Sequence, residues 1–407
     1  MIFNLTYKSI LNRKTAFFLS VFSIAISVVL LLGIQRVAKS SEEHFLNTLN
    51  QTDMIVGATD GSIDILLNLI FHIGDGLKEI DFSTFEEIAK MDEVAWVVPL
   101  SLGDSFRSFE VMATNEDFFG HYKYASGKLL EFQEGGNFSG FYDVIVGWNV
   151  AKKLGLKLSD KIHLSHADEH HEHTNREFIV SGVLKQSKTP NDDLVFIQLK
   201  TDEAIHLEWQ SGHFVDMHIE SEKLSQMDIK PKHLSGMLLG VRNPLQILEL
   251  ENRINHYKGE NLKAVLPAKA LSKLFKLMQN FQDVLFFISV AVFIVALFTM
   301  LSSMYATLSE RRREIAILRS LGASVKVIFA LFAIESSLIV ACGIVFGYLI
   351  LTLLIALIPS TISISHMPDL YEIVMLLVMV VISLFASLLP ALSSYKQSLQ
   401  DGLIVKI

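Results

Sequence analysis

Four long stretches of the chain contain no Asp, Glu, Lys or Arg. They cover residues 15–35, 284–309, 336–358 and 373–395. A helix needs about 20 apolar residues to cross a bilayer core of about 30 Å, and each stretch is long enough. Soluble core helices of this length seldom lack a charge. The pattern therefore predicts four transmembrane helices.

The first apolar stretch follows Lys8, Arg13 and Lys14, as a secretory signal would. Its apolar run is longer than the roughly 7–15 residues of a signal, and no small-residue cleavage site follows it. We therefore interpret it as a retained membrane anchor.

The charges at the ends of the four stretches predict their orientation. Segments 1–14, 310–326 and 393–407 together hold ten Lys or Arg and three acidic residues, whereas the loop 359–372 has no Lys or Arg. By the positive-inside rule the first three segments are cytoplasmic. The large segment 40–280 and the loop 359–372 then lie on the outer side of the membrane.

The outer segment mixes strand and helix patterns without a strict βαβ rhythm. Short β-branched runs such as "DMIVG", "DVIVG", "EFIVSGVL", "LVFIQL" and "VDMHIE" predict strands. The run "FSTFEEIAKM" predicts an amphipathic helix before a strand that stops at Pro99, and "PLQILELENRINHY" predicts a helix that starts at Pro244. Gly155 predicts a break after the helix that follows "DVIVG". We expect an α+β domain at 40–265, inserted between transmembrane helices 1 and 2. Apolar residues at helical spacing from 268 onward, with no Gly or Pro before 321, predict that helix 2 begins outside the membrane as a stalk.

A histidine-rich stretch, "HLSHADEHHEHTN", lies between the predicted strands "KIHL" and "EFIV". Imidazole and carboxylate groups are ligands of zinc, so the loop is a candidate metal site. Its members would be His163, His166, His170, His171 and His173. The alternative is a solvated loop without fixed geometry, because the spacing follows no rigid finger pattern.

Several chemistries are excluded by the composition. The outer segment holds 23 Lys or Arg against 36 Asp or Glu, which argues against nucleic acid as a partner. No G-x-x-x-x-G-K-[ST] loop occurs, so the chain cannot bind ATP in that way, and no nucleophile–base motif indicates an enzyme. The single cysteine, Cys342, excludes an internal disulfide and a cysteine-based zinc site. No covalently bound cofactor is expected.

The stretch "LSERRREIAILRSLGAS" directly follows the second apolar segment and reads as a short basic cytoplasmic helix. It closely resembles the signature of the FtsX-like, MacB-type permeases of ABC transporters. The stretches "LKAVLPAKALSKLFKLMQN", "LFAIESSLIVACGIVFGYLI", "LLPALSSYKQSLQDGL" and the N-terminal "NLTYKSILNRKTAFFLSVFSIAIS" resemble the same family.

The resemblance implies an organisation, a partner and a coupling region. It implies an N-terminal helix and first span at 1–39, the extracytoplasmic domain at 40–265 and a permease domain at 266–407. It also implies a multi-pass protein of the bacterial inner membrane with its large domain in the periplasm. A separate cytoplasmic ABC ATPase would bind the basic helix, and a second permease copy would complete a homodimer or heterodimer. The residues assigned to this coupling are Glu310, Arg311, Arg312, Arg313, Glu314, Arg319, Gly322 and Glu335. Glu335 has a second interpretation, as a carboxylate that bonds a neighbouring helix.

Three functions follow from the resemblance. The first is a permease that couples ATP hydrolysis by its partner to movement of the periplasmic domain. The histidine-rich loop, and not the resemblance, adds handling of zinc or another divalent metal to this function. The second is extraction of lipids or lipoproteins. The third is a scaffold that transports nothing and regulates a periplasmic partner by transmitting motion. A periplasmic metal-binding protein or a lipoprotein would be the outer partner.

Overall fold

The computed structural model describes residues 14–49, 51–59, 61–74, 76–166, 177–209, 230–306, 324–357 and 368–401. The α-helices of these ranges are α1 Lys14–Thr48, α2 Ser62–Phe71, α3 Phe82–Ala89, α4 Asp117–His121, α5 Trp148–Leu154, α6 Leu199–Trp209, α7 Ile247–Asn255, α8 Pro267–Ala306, α9 Val325–Leu357 and α10 Leu370–Asp401. The strands are β1 Met54–Gly57, β2 Ile80–Asp81, β3 Val94–Phe106, β4 Phe109–Thr114, β5 Lys123–Tyr124, β6 Lys128–Leu129, β7 Phe132–Gly135, β8 Asp143–Val146, β9 Lys161–Ile162, β10 Ser165–His166, β11 Phe178–Leu184, β12 Leu194–Gln198, β13 His233–Leu234, β14 Gly236–Val241 and β15 Lys263–Val265.

The chain divides into two compact units. The membrane unit comprises Met1–Ser41 and Met278–Ile407, and the outer unit comprises Glu42–Leu277. The helices α1, α8, α9 and α10 are each long and apolar enough to cross a membrane. The predicted membrane protein with four transmembrane helices and one large inserted α+β domain is confirmed.

The membrane unit packs its four helices around an apolar core. Val28, Met300 and Phe332 are fully buried in it. Large apolar side chains also cover the outside, and Phe298 and Phe385 are 66% and 67% exposed. A soluble protein rarely exposes a continuous apolar surface of this kind, whereas a membrane span must.

The outer unit is built on an eleven-stranded mixed sheet with the order β15-β1-β14-β3-β4-β12-β8-β11-β7, with β10 beside β3 and β9 beside β11. The pairs β4–β12 and β8–β11 are parallel, and the other pairs are antiparallel. Apolar clusters cover the sheet with helices α2, α3, α5 and α7. Gly155 ends α5 with a φ of 69°, a left-handed conformation that glycine adopts without strain.

The prediction that a strand stops at Pro99 is wrong, because β3 continues to Phe106. The strand changes partner there: Pro99 lies opposite Met237 of β14, while Ser101 lies opposite Ala113 of β4. Proline removes one N–H donor but its φ fits an extended strand. Its carbonyl accepts a bond of 2.8 Å from the Thr114 hydroxyl.

Two further segments compare with the sequence interpretation. The helix expected from Pro244 begins with a 3₁₀ turn, Pro244–Gln246, capped by the Asn243 side chain, and continues as α7. The strand predicted at "VDMHIE" lies at 215–220, outside the described residues.

Candidate functional site

Most of the predicted coupling residues lie in a region that the structure does not describe. Residues 307–323, which include Glu310, Arg311, Arg312, Arg313, Glu314, Arg319 and Gly322, fall in this gap. Glu335 is described: it lies in α9 and is 8% exposed. The pairing of Glu335 with the basic helix therefore stays a prediction.

The histidine-rich loop is described only at its start. His163 is exposed after β9, and His166 lies in β10 opposite Asp104 of β3. Strand β9 pairs antiparallel with β11, with Ile162 opposite Phe178, so the loop does connect two neighbouring strands. His170, His171 and His173 lie outside the described residues. No group of three or more metal-ligating side chains occurs within the described ranges, and the zinc site remains a prediction.

A buried ion pair joins helices α1 and α10 of the membrane unit. Arg36 Nε donates to Glu372 Oε1 and Arg36 Nη2 to Glu372 Oε2, both at 2.7 Å. The two side chains are only 5% and 6% exposed. The guanidinium also lies 5.2 Å from the centre of the Tyr348 ring of α9, within cation–π range. One arginine thus connects three of the four spans.

The sequence reasoning missed this pair. The predicted spans ended at residue 35 and began at residue 373, so each partner lay one residue beyond a predicted span. Arg36 follows Lys14 by twenty-two residues, a rise of about 33 Å along a helix. This distance places Arg36 at the outer edge of a core of about 30 Å. An arginine there, and a glutamate at the start of the last span, are the signals that would have found the pair.

Two glycines bring α9 close to α1. A Cβ atom on Gly343 would lie 2.6 Å from Ile24 Cγ2, and one on Gly347 would lie 2.7 Å from the Ala25 carbonyl oxygen. Real carbon atoms do not approach so closely. The stretch "GIVFG" is a G-x-x-x-G motif, which lets transmembrane helices pack backbone to backbone. The motif is visible in the sequence and would have predicted this contact.

An apolar cavity of about 560 Å³ lies in the membrane unit beside the ion pair. It is lined by Val29, Leu30, Gly33, Ile34, Arg36, Val37, Ala38 and Ser41 of α1, by Met278, Phe281, Gln282 and Leu285 of α8, and by Leu351, Leu354 and Ile355 of α9. Arg36 is the only charged residue of this lining. Its Nη1 is buried and has no hydrogen-bond partner among the described residues.

The last turns of α1 belong to the outer unit and are bonded to it. The Tyr122 hydroxyl donates to the Thr48 carbonyl, and the Ala125 N–H donates to the Asn47 carbonyl at 2.7 Å. The last carbonyls of a helix have no partner within the helix, so the segment Tyr122–Ala125 supplies the donors. Burial raises the pKa of Tyr122, which keeps its hydroxyl protonated and able to donate.

Aromatic packing holds the same helix end within the outer unit. The Phe45 ring lies 4.6 Å from the Phe71 ring of α2 and 6.3 Å from the Phe275 ring of α8. These are edge-on contacts, a favoured geometry for aromatic pairs. The ends of α1 and α8 that emerge from the membrane unit are therefore part of the core of the outer unit.

A buried carboxylate lies in the 3₁₀ turn Pro190–Asp193, directly before β12. Asp192 is 2% exposed. Its Oδ1 accepts bonds from the backbone N–H and hydroxyl of Ser187, at 2.9 and 2.7 Å, and its Oδ2 accepts from the Lys188 N–H at 2.8 Å. Burial raises the pKa of Asp192 above its ordinary value, although these hydrogen bonds oppose the rise.

The geometry agrees with comparisons to known proteins. Residues 17–233 match the family model of the MacB-like periplasmic core domain, and residues 286–399 match that of the FtsX-like permease C-terminal domain. The first match alone covers more than half of the chain. The chain belongs to the MacB and FtsX family of ABC-transporter permeases.

Solved structures similar to this permease include two outer domains. One is the periplasmic region of MacB from Actinobacillus actinomycetemcomitans, with 11% identity, 56% of this chain and 95% of that chain covered, and a TM-score of 0.35. The other is the extracellular domain of the noncanonic ABC-type transporter YknZ from Gram-positive bacteria, with 14% identity, coverage of 53% and 100%, and a TM-score of 0.28. No curated protein sequence matches the permease significantly.

Family membership confirms the coarser part of the sequence interpretation. The chain is a multi-pass permease of the inner membrane with a periplasmic domain, and proteins of this family are non-enzymatic components that work with a separate ATPase and often dimerise.

Proposed function

We propose that this permease transmits movement, driven by ATP hydrolysis in a cytoplasmic ABC ATPase, to its periplasmic domain. The observation that carries the proposal is the bonding of the last carbonyls of α1 by Tyr122 and Ala125. A helix whose end is bonded and packed in this way moves with the segment that holds it. Helix α8 runs without a break from Pro267, in the outer unit, to Ala306, in the membrane unit, which supports the same interpretation.

The cytoplasmic side of this proposal rests on the basic segment. Glu310, Arg311, Arg312, Arg313, Glu314, Arg319 and Gly322 would bind the ATPase, and Glu335 in α9 would connect the segment to the third span. The domain limits 1–39, 40–265 and 266–407 belong to the proposal as well. The two compact units differ from these limits, because residues 40–41 belong to the membrane unit and residues 266–277 to the outer unit.

A charge reversal tests the coupling assignment. The double substitution Arg312→Glu with Arg319→Glu should reduce co-purification of the ATPase while membrane insertion is retained, because charges at the interface would repel instead of attract. The matched control is Lys152→Glu with Lys153→Glu, on helix α5 of the outer unit. Equal co-purification of the ATPase with the Arg312/Arg319 variant, the control and the unmodified chain would refute the assignment.

Lipid or lipoprotein extraction is the second candidate function. The apolar cavity at the outer ends of α1 and α9 favours it, because an acyl chain is the ligand that such a lining suits. A scaffold that moves its outer domain without any cargo would have the same contacts at Tyr122. Cargo release in reconstituted vesicles distinguishes these functions: a scaffold hydrolyses ATP through its partner and releases nothing.

Metal handling depends on the histidine loop. Zinc binding by His163, His166, His170, His171 and His173 requires neutral imidazoles, so the zinc affinity should fall as the pH drops through about 6.5. Calorimetric titration of the full chain, with and without substitution of all five histidines by alanine, measures it. Equal affinities would leave the loop as a polar connection.

A further inference from the structure

Helix α10 is bonded at two places to the two helices that continue from the membrane unit into the outer unit. Near its outer end, Glu372 accepts both hydrogen bonds from Arg36 of α1. Near its cytoplasmic end, Ser393 Oγ lies 3.3 Å from the Tyr305 hydroxyl of α8, within hydrogen-bond distance. Pro390 lies between these two contacts, and the helix continues through it. Helix α10 therefore connects the cytoplasmic end of α8 to the outer end of α1.

The apolar contacts between the spans leave their axial positions free to change. Gly343 and Gly347 let α9 approach α1 closely, but packed helices can still slide past one another by small distances. A bidentate bond between a guanidinium and a carboxylate has a narrow geometry, and a buried pair of this kind is costly to separate. The bonds between Arg36 and Glu372 therefore fix the axial position of α1 relative to α10.

Burial distinguishes this ion pair from its neighbour on the same two helices. The side chains of Arg36 and Glu372 are 5% and 6% exposed, whereas those of Lys39 and Asp369 are 56% and 50% exposed. Water and salt weaken an exposed ion pair. The pair of Lys39 and Asp369 thus adds little to the link, and the chain offers it as a matched control.

We propose that α10 is a brace that makes α1 follow α8, and that Arg36 and Glu372 are the positioning residues of this link. A displacement of the basic segment moves the end of α8, and the contact of Tyr305 with Ser393 passes it to α10. The buried ion pair passes it on to α1, which continues without interruption into the outer unit. The inference rests on the proposed function, and it names the residues that carry the motion between the helices of the membrane unit.

Spin labels on α1 and α10 test the link without ATPase or nucleotide. Val37→Cys and Leu377→Cys, with Cys342→Ser, place labels at positions that are 46% and 58% exposed. The full-length chain is placed in nanodiscs of phosphatidylethanolamine and phosphatidylglycerol. Arg36→Met with Glu372→Leu removes the pair without leaving an unpaired buried charge. We expect electron–electron double resonance to give a broader distance distribution for this variant than for the labelled chain with the ion pair intact.

The exposed pair is the control for this measurement. Lys39→Met with Asp369→Leu should leave the width of the distribution unchanged. An unchanged width in the variant of Arg36 and Glu372 as well would show that the buried pair does not hold α1 to α10. That result would overturn the inference and leave the proposed function intact.

The second measurement uses the complex with the ATPase. Labels at Lys90→Cys in the outer unit and Leu353→Cys in α9, with Cys342→Ser, report the change in distance between the nucleotide-free and ATP-trapped states. Arg36→Met with Glu372→Leu should lose part of this change, because only α8 still connects the cytoplasmic segment to the outer unit. The exchanged pair, Arg36→Glu with Glu372→Arg, should restore it, because the two bonds can form again.

The remaining outcomes contradict the inference. A full change that persists in Arg36→Met with Glu372→Leu would overturn the inference alone. A reduced change in both this variant and the exchanged one would assign the effect to packing, and would remove the ion pair from the link. No change in the complex with the ion pair intact would contradict the proposed function, and this inference with it.

Discussion

Removing Arg36 should destabilise the membrane unit strongly. In Arg36→Met the carboxylate of Glu372 stays in a position that is 6% exposed and loses both bonds of 2.7 Å. Breaking a buried ion pair by removal of one partner costs about 3–5 kcal/mol. Equilibrium unfolding of the full chain in mixed micelles should show a loss of that size. Replacing both partners, by Arg36→Met with Glu372→Leu, should restore most of it, because no unpaired charge remains.

The exposed neighbouring pair is the control for this prediction. Lys39 bonds Asp369 between the same two helices, but their side chains are 56% and 50% exposed. An exposed ion pair contributes about 0–1 kcal/mol, so Lys39→Met should have little effect on unfolding. A loss at Arg36 no larger than that at Lys39, or a double variant as unstable as the single one, would refute the argument that Arg36 and Glu372 form a buried pair.

The remaining predictions concern packing and pH. Gly343→Val should destabilise the membrane unit by about 1–3 kcal/mol, the usual cost of overpacking, because the valine side chain would collide with Ile24. Unfolding in micelles measures the loss. A neutral effect would mean that α1 and α9 are not in close contact. Because burial raises the pKa of Asp192, its contribution to stability is present below its ordinary pKa and is lost as the pH rises through the raised value. As the pH rises from the ordinary pKa of Asp192 through its raised pKa, the Asp192→Asn variant should therefore become more stable relative to the unmodified chain. Denaturant titration at several pH values measures the free energy of unfolding of both. A relative stability of the variant that falls as the pH rises would contradict the prediction.

The sequence predicted the features that depend on local pattern. The four apolar runs, the strands at 54–57 and 143–146, and the end of α5 at Gly155 all follow from periodicity and residue type. Long-range partners were harder to predict. Whether β3 ends at Pro99 depends on β14 and β4, which are distant in sequence and lie on either side of it.

The residues of the candidate site also divide into those that a local pattern predicts and those that depend on partners distant in sequence. The basic residues after the second span indicate a cytoplasmic segment, and this inference needs only their charge and their position next to an apolar run. Arg36 and Glu372 are 336 residues apart, and each is an ordinary charge at a membrane edge when considered alone. The bonds from Tyr122 and Ala125 to the end of α1 also depend on the folded sheet. No local pattern marks those two residues as partners of a transmembrane helix.

The central claim is that the outer domain moves when the partner ATPase binds nucleotide. Spin labels at Lys90→Cys in the outer unit and Leu353→Cys in the membrane unit, with Cys342→Ser to remove the native thiol, allow the distance between the units to be measured by electron–electron double resonance. In the complex with the ATPase, we predict that the distance distribution shifts between the nucleotide-free and ATP-trapped states, and that Tyr122→Phe reduces the shift because α1 loses a bond at its end. The same distribution in both states, with an ATPase that still hydrolyses ATP, would contradict the account.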